Sequence, residues 1–226
     1  ALKRRQREAR PARALAGSGD LLDRFLSGLP FELTPGQNQA LEVIRADLAR
    51  PRPMGRLLMG DVGTGKTVVA AAAAVSAAGA GVQTALMAPT EVLARQHQAT
   101  LGSLLEPLGL KVALATGSQN GAERGQARQA MAGDADLVVG THALISSGAG
   151  FRDLGLVIID EQHRFGVEQR TALGKKGDAP HVLVMSATPI PRTLALIIYG
   201  DLDVSVIDEL PPGRQKVETY TVSEKH

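Results

Sequence analysis

The chain has 226 residues, 44% of them hydrophobic, which is enough for a sizeable core in one or one and a half α/β domains. It contains no cysteine, which excludes disulfides and cysteine metal sites, and its 3% of aromatic residues makes the core mainly aliphatic. The net charge of +2 permits nucleic-acid binding without requiring it. No signal-peptide pattern follows the basic N-terminus, and the longest apolar run, 68–81, is too short to cross a bilayer. We therefore expect a cytoplasmic protein with no membrane partner.

Short apolar segments alternate with helical patterns along most of the chain. A basic run at 3–7 comes first, and it is typical of a solvated helix face or a tail, with DNA contact as the alternative. A linker at 11–19 follows it. Strands are predicted at 57–59, 83–88, 111–115, 137–140, 156–160, 182–186 and 204–207. Helices are predicted at 37–49, 67–78, 91–105, 121–131, 167–173 and 193–198. Strands that are apolar on both faces and separated by helices predict an α/β fold, with a mostly parallel central sheet and helices on both faces.

A glycine-rich loop after the first predicted strand matches the phosphate-binding pattern G-x-x-x-x-G-K-[ST]. Its backbone N–H groups can turn inward at the start of a helix and attract phosphate. A glycine turn before an ordinary helix fits the same pattern, but the preceding strand and the following Ala/Val-rich helix favour nucleotide binding. We expect Lys66 to reach the phosphates and the Thr67 hydroxyl to bind Mg²⁺. The loop consists of Gly60, Asp61, Val62, Gly63, Thr64, Gly65, Lys66 and Thr67.

The apolar strand at 156–159 ends in two acidic residues, Asp160 and Glu161. The carboxyl ends of strands are where α/β sheets place ligand chemistry. Asp160 is predicted to hold Mg²⁺, and Glu161 to orient or deprotonate an attacking water. Taken alone, the pair fits an acidic helix cap equally well. The phosphate loop on the same predicted sheet favours the catalytic interpretation.

A third strand end carries two hydroxyl groups, those of Ser186 and Thr188. The simplest interpretation is a strand that ends in a Ser/Thr turn before a proline. A motor protein also needs residues that sense the γ-phosphate, and Ser186 and Thr188 are candidates for coupling to Gln162 or His163. Alone, this motif is weak.

Residues 60–67, 160–163 and 186–188 together resemble motifs I, II and III of superfamily 2 helicases of the DExH type. The longer strings at 87–91, 160–166, 187–194 and 207–214 are similar to those of the bacterial RecG branched-DNA helicases. The resemblance implies a RecA-like P-loop NTPase domain, with ATP and Mg²⁺ as cofactors. It implies three segments: a linker or end of an upstream helix at 1–20, motor domain 1 at 21–214, and a connection to a second motor domain at 215–226.

The resemblance implies further site residues. Gln37, in a string that resembles the Q motif, would bond the adenine edge, although a capped helix start at Thr34 explains the same residues. Loops that touch the DNA backbone would contain Pro89, Thr90, Gly140, Thr141 and His142. His97, on an amphipathic helix, is predicted to be structural. Arg192 fits either DNA or the neighbouring motor domain.

The implied activity is ATP-dependent remodelling of stalled replication forks and Holliday junctions near the bacterial nucleoid. The implied partners are branched DNA, a second RecA-like domain that supplies arginines to the ATP site, and an upstream wedge domain. The transcription–repair coupling factor Mfd has a similar motor, but it usually has Glu at the position of Gln162. A non-catalytic nucleotide-binding docking module is the alternative of another class, and the intact Lys66, Asp160 and Glu161 count against it.

Overall fold

The fold is built on a fully parallel seven-stranded sheet. The structure is a computed structural model that describes residues 11–17, 19–146, 150–160, 179–187 and 202–211. The strands are β1 (Gly55–Gly60), β2 (Gln83–Met87), β3 (Val112–Ala115), β4 (Leu137–Gly140), β5 (Leu154–Ile159), β6 (His181–Ser186) and β7 (Asp203–Ile207). Their order is β3-β4-β2-β5-β6-β1-β7, and every pair is parallel. All seven carboxyl ends therefore lie along one edge.

Six helices are described, together with a 3₁₀ turn at Glu106–Leu108. They are α1 (Asp20–Ser27), α2 (Pro35–Leu48), α3 (Lys66–Gly79), α4 (Glu91–Leu105), α5 (Gly121–Ala132) and α6 (Ala143–Ser146). Side-chain oxygens of the preceding residues cap three of them: Thr34 before α2, Thr90 before α4 and Asn120 before α5. None of the described helices is long and apolar enough to span a membrane.

Alternate residues of the central strands enter two separate cores. Leu156 and Ile158 of β5 join the large cluster that α1 to α4 cover, whereas Val157 and Ile159 join a second cluster with Met131 of α5. This alternation follows from the two-residue period of a strand. Residues 68–75 and 77 of the alanine-rich helix α3 are buried in the large cluster, where small side chains allow close packing against the sheet.

The predicted architecture is confirmed. All seven predicted strands are present with small shifts at their ends, and the described helices cover both faces of the sheet. The predicted helices at 167–173 and 193–198 lie outside the described residues, as do the basic run at 3–7 and Arg192.

An N-terminal strap, residues 11–17, packs across the edge of the sheet opposite the carboxyl ends. Leu15 is 3% exposed, and its N–H donates to the carbonyl of Leu48 (2.8 Å). The Arg13 guanidinium donates to Asp153 (2.6 Å) and to the carbonyl of Ala80 (3.1 Å). This part of the predicted linker is thus docked on the domain, and the predicted boundary at residue 21 stays a prediction.

His181, at the start of β6, bonds the strap and the sheet through its two ring nitrogens. Nε2 donates to the carbonyl of Arg13 (2.8 Å), and Nδ1 accepts from the N–H of Met54 (3.1 Å). Burial lowers the pKa of His181 below its usual 6.5, against the opposing effects of the Arg13 carbonyl and the charge of Asp47. Folded His181 therefore binds a proton less readily than a histidine of the unfolded chain.

We expect the chain to lose stability as the pH falls below about 6.5, the pKa of an unfolded histidine. In that range a histidine of the unfolded chain binds a proton more readily than folded His181 does. The free energy of unfolding should therefore fall by no more than about 1.4 kcal/mol per pH unit. Urea unfolding across a pH series measures the loss. His181→Gln should flatten the dependence, whereas His142→Gln, at an exposed histidine, should retain it. An unchanged slope in His181→Gln would contradict the assignment.

Candidate functional site

The predicted site residues fall on two neighbouring halves of the sheet. The nucleotide half (β5, β6, β1 and β7) carries the phosphate loop after β1, Asp160 after β5 and Ser186 at the end of β6. The outer half (β3, β4 and β2) carries Pro89 and Thr90 after β2 and residues 140–142 at the end of β4. The halves meet where β2 pairs with β5.

Two of the three glycines of the phosphate loop have the positive φ that the sequence predicts, whereas Gly60, the last residue of β1, does not. Gly63 and Gly65 have φ angles of 85° and 80°, in the left-handed region that favours glycine. Helix α3 begins at Lys66, so its first N–H groups face the loop. Lys66 Nζ donates to the carbonyls of Gly60 (2.6 Å) and Asp61 (2.9 Å). The ammonium group is thereby held within the loop that is predicted to bind phosphates.

Gln37, at the start of α2, is hydrogen-bonded to the phosphate loop. Its side chain is 2% exposed, and Nε2 donates to the carbonyl of Thr64 (2.8 Å). Oε1 accepts from the N–H of Thr34 (3.0 Å), while the Thr34 hydroxyl accepts from the N–H of Gln37 (3.2 Å). These two bonds form a capping box, which agrees with the capped helix start that the sequence predicts at Thr34. The contact of Gln37 with an adenine edge stays a prediction.

Glu209, two residues after β7, also binds the start of α2. Its carboxylate accepts from the N–H of Gly36 (2.5 Å). This bond, followed by the one from the Thr34 hydroxyl, lowers the pKa of Glu209 below that of a free glutamate. The start of α2 therefore links the phosphate loop to the chain that leaves β7.

Asp160 is anchored to the outer half through its backbone and through its side chain. Its N–H donates to the carbonyl of Met87, the last residue of β2 (2.9 Å). Its carboxylate oxygen Oδ2 lies 2.7 Å from His97 Nε2, and both side chains are 13% exposed. Sequence reasoning treated His97 as structural and missed this contact, because His97 and Asp160 lie 63 residues apart.

In the outer half, α4 is fixed to the loop that follows β3. The Thr90 side chain caps α4 by accepting from the N–H of Leu93 (3.3 Å). The Glu91 carboxylate accepts from the hydroxyl and from the N–H of Ser118 (2.9 Å for the N–H). The Ser118 hydroxyl bond is the largest cause of a lowered pKa at Glu91. Thr90 and Ser118 are thus both hydrogen-bonded to the first turn of α4.

The predicted contacts after β4 differ in their access to solvent. A Cβ on Gly140 would lie 2.2 Å from the carbonyl of Ala115, so glycine is required for the close approach of β3. Thr141 is 3% exposed, and its hydroxyl has no hydrogen-bond partner among the described residues. His142 is exposed. In this conformation His142 is accessible to a DNA strand, and the Thr141 hydroxyl is not.

Four predicted residues lie outside the described part of the chain: Glu161, Gln162, His163 and Thr188. Ser186 is described, as a buried residue at the carboxyl end of β6. The described donor set fits a magnesium nucleotide, since it combines the N–H groups at the start of α3, a lysine, the Thr67 hydroxyl and the Asp160 carboxylate on one sheet edge.

The comparisons agree with this site. The DEAD/DEAH box helicase model matches residues 34–197, more than half of the chain. The chain therefore belongs to the DEAD/DEAH box helicase family, and its described domain is a RecA-like helicase motor domain.

Within that family the chain is similar to RecG. It is 56% identical to the ATP-dependent DNA helicase RecG of Acidithiobacillus ferridurans over 93% of the chain and 31% of that protein. It is 54% identical to the RecG of Bacillus subtilis over 91% of the chain and 30% of that protein. The chain thus spans about 30% of the length of these relatives. The predicted RecG resemblance is confirmed, and the Mfd alternative is not favoured.

Solved structures support the same conclusion. A structure of RecG bound to a three-way DNA junction superimposes with a TM-score of 0.84 at 45% identity, over 95% of this chain and 29% of that one. The DUF1998 helicase MrfA bound to DNA has a TM-score of 0.64 at 18% identity, over 90% of this chain and 31% of that one. At this lower identity the likeness shows the fold alone.

We expect Gly65→Ala to impair nucleotide binding more than its backbone strain alone predicts. A Cβ there would lie 2.2 Å from Gln37 Nε2 and displace it from Thr64. Gly81→Ala is the matched control, since Gly81 has a similar φ of 76° but no atom within 4 Å of the added Cβ. Both variants should lose about 1–2 kcal/mol to left-handed strain. Titration with a fluorescent ATP analogue should show lost affinity only in Gly65→Ala, and equal affinities would contradict the clash.

Gln37→Ala should weaken ATP and GTP binding by the same factor, because the contact in the structure is to the loop and not to a base. It should also lower the free energy of unfolding by about 1–3 kcal/mol, since buried backbone groups lose their partners. Competition titrations with both nucleotides, alongside urea unfolding, measure these effects. Gln96→Ala, at an exposed glutamine on α4, serves as the control. A loss confined to ATP would instead support adenine recognition by Gln37.

Proposed function

We propose that this chain is the first motor domain of a protein that uses ATP hydrolysis to move on duplex DNA and remodel branched DNA. The substrates would be stalled replication forks and Holliday junctions, in the bacterial cytoplasm at the nucleoid. The observation that carries the proposal is the single sheet edge that holds both the phosphate loop after β1 and, beyond β6 and β5, the loops of the outer half. The identity of more than 50% to RecG helicases, and the RecG structure with a three-way junction, support the choice of substrate.

Nucleotide would bind in the nucleotide half of the edge. Loop N–H groups and Lys66 would hold the phosphates, and Thr67 and Asp160 would hold Mg²⁺. When bound, Mg²⁺ neutralises charge on the phosphate oxygens. Glu161, which follows Asp160 in sequence, would take the proton from the attacking water. Gln162, His163, Ser186 and Thr188 would couple this step to movement.

DNA would bind along the outer half through its backbone. Thr90 and His142 offer groups that carry no base information, which suits movement along any sequence. Pro89 and Gly140 would shape these loops. A net charge of +2 neutralises few phosphates, so binding by this domain should be weak.

Other parts of the full-length protein would complete the motor. A second RecA-like domain would supply arginines to the ATP site, a contribution of roughly 10³–10⁵ in rate for phosphoryl transfer. An upstream wedge domain would select the branch point. Both proposals accord with the coverage of the RecG relatives, of which this chain spans about 30%.

Lys66→Ala in the full-length protein tests the proposal. It should reduce fork unwinding about 10²–10³-fold, the usual cost of losing one preorganised charge-stabilising group, and leave DNA affinity unchanged. Unwinding and gel-shift assays on forked and linear duplexes give both values. Lys111→Ala is the control, because Lys111 pairs with exposed Asp134 at the opposite edge of the sheet. An inactive wild type, or equal loss of binding and unwinding in Lys66→Ala, would overturn the proposal.

A further inference from the structure

One side-chain contact crosses the boundary between the two halves of the sheet at its functional edge. Helix α4 follows β2 in the outer half, and Asp160 follows β5 in the nucleotide half. His97 Nε2 of α4 lies 2.7 Å from Asp160 Oδ2. With the carboxylate ionised, Nε2–H donates this hydrogen bond. Where β2 pairs with β5, the backbone N–H of Asp160 also donates to the carbonyl of Met87.

The geometry suits the positioning of a metal ligand. His97 engages Oδ2, while Oδ1 makes no hydrogen bond to any residue that the structure describes. An outer hydrogen bond to one carboxylate oxygen fixes the orientation of the other. Because both side chains are 13% exposed, water competes little for this contact.

The N-terminal end of α4 lies at the candidate DNA-contacting loops. Thr90 caps the helix, and Glu91 in its first turn binds Ser118 in the loop after β3. His97 lies seven residues after Thr90, which is about 10 Å along a helix. Two turns of hydrogen-bonded helix separate the two positions, so a displacement of the loop bound to Glu91 would pass along α4 to His97.

We infer that His97 is a positioning residue that orients Asp160 for Mg²⁺ and transmits the DNA-bound state of α4 to the nucleotide site. The inference rests on the proposed function and adds a residue to it. His97 touches neither substrate in this arrangement, and it acts through Asp160. Loss of the bond should weaken the use of Mg²⁺ and reduce the stimulation of hydrolysis by DNA.

Three variants of the full-length protein test this role. His97→Ala removes the donor, and His97→Gln places an amide N–H near the position of Nε2. Gln96→Ala changes the neighbouring exposed residue of α4 and should behave as wild type. For each protein, a fluorescent non-hydrolysable ATP analogue is titrated in EDTA and across a Mg²⁺ series. ATP hydrolysis is then measured with and without forked DNA, and thermal unfolding is followed in parallel.

His97→Ala should need about tenfold more Mg²⁺ for half-maximal nucleotide binding, while its affinity in EDTA stays unchanged. Its stimulation by DNA should fall at least about fivefold. His97→Gln should restore both values toward wild type. A merely structural role predicts a different result, in which affinity falls equally with and without Mg²⁺ and the unfolding temperature drops.

A wild-type Mg²⁺ requirement in His97→Ala, an equal loss of affinity in EDTA, or no recovery in His97→Gln would each overturn the inference. These outcomes are separate from failure of the proposed function. If the wild type hydrolyses no ATP with forked DNA, the proposed function fails, yet the Mg²⁺ series on nucleotide binding still decides the role of His97.

Discussion

The parallel pairing of β2 with β5 joins a nucleotide half to an outer half within one continuous sheet. Because every pair is parallel, all seven carboxyl ends face the same edge, and loops distant in sequence become neighbours there. The pairing also supplies the backbone bond from Asp160 to Met87. The position of the candidate metal ligand relative to the candidate DNA loops depends on this register.

Around that sheet, the start of α2 is a second point of convergence. Gln37 supports the phosphate loop at Thr64, and Glu209 binds Gly36 and Thr34 from the end of β7. The same four-residue turn is thus a helix cap, a support for the phosphate loop and an anchor for the segment that follows β7.

Local rules account for the parts of this protein that sequence reasoning predicted correctly. Apolar strands separated by helical patterns identified all seven strands, and the loop's glycine spacing predicted a tight turn between β1 and α3. The capping box at Thr34 and Gln37 was also visible, because its members lie three residues apart. In these cases the physical cause lies within a few residues of the effect.

Contacts between distant residues could not be predicted in this way. The helical pattern predicted a structural role for His97, but it gave no indication that Asp160 would be its partner. The close approach of β3 to Gly140 and the contact of the strap with His181, 168 residues away along the chain, likewise have no local signal. The sequence alone determined the fold class, the phosphate-loop motif and the helicase family, because each depends on the spacing of residues that lie close together in the chain. Only the tertiary structure decided which side chains meet across the sheet, since strand order and register set those distances.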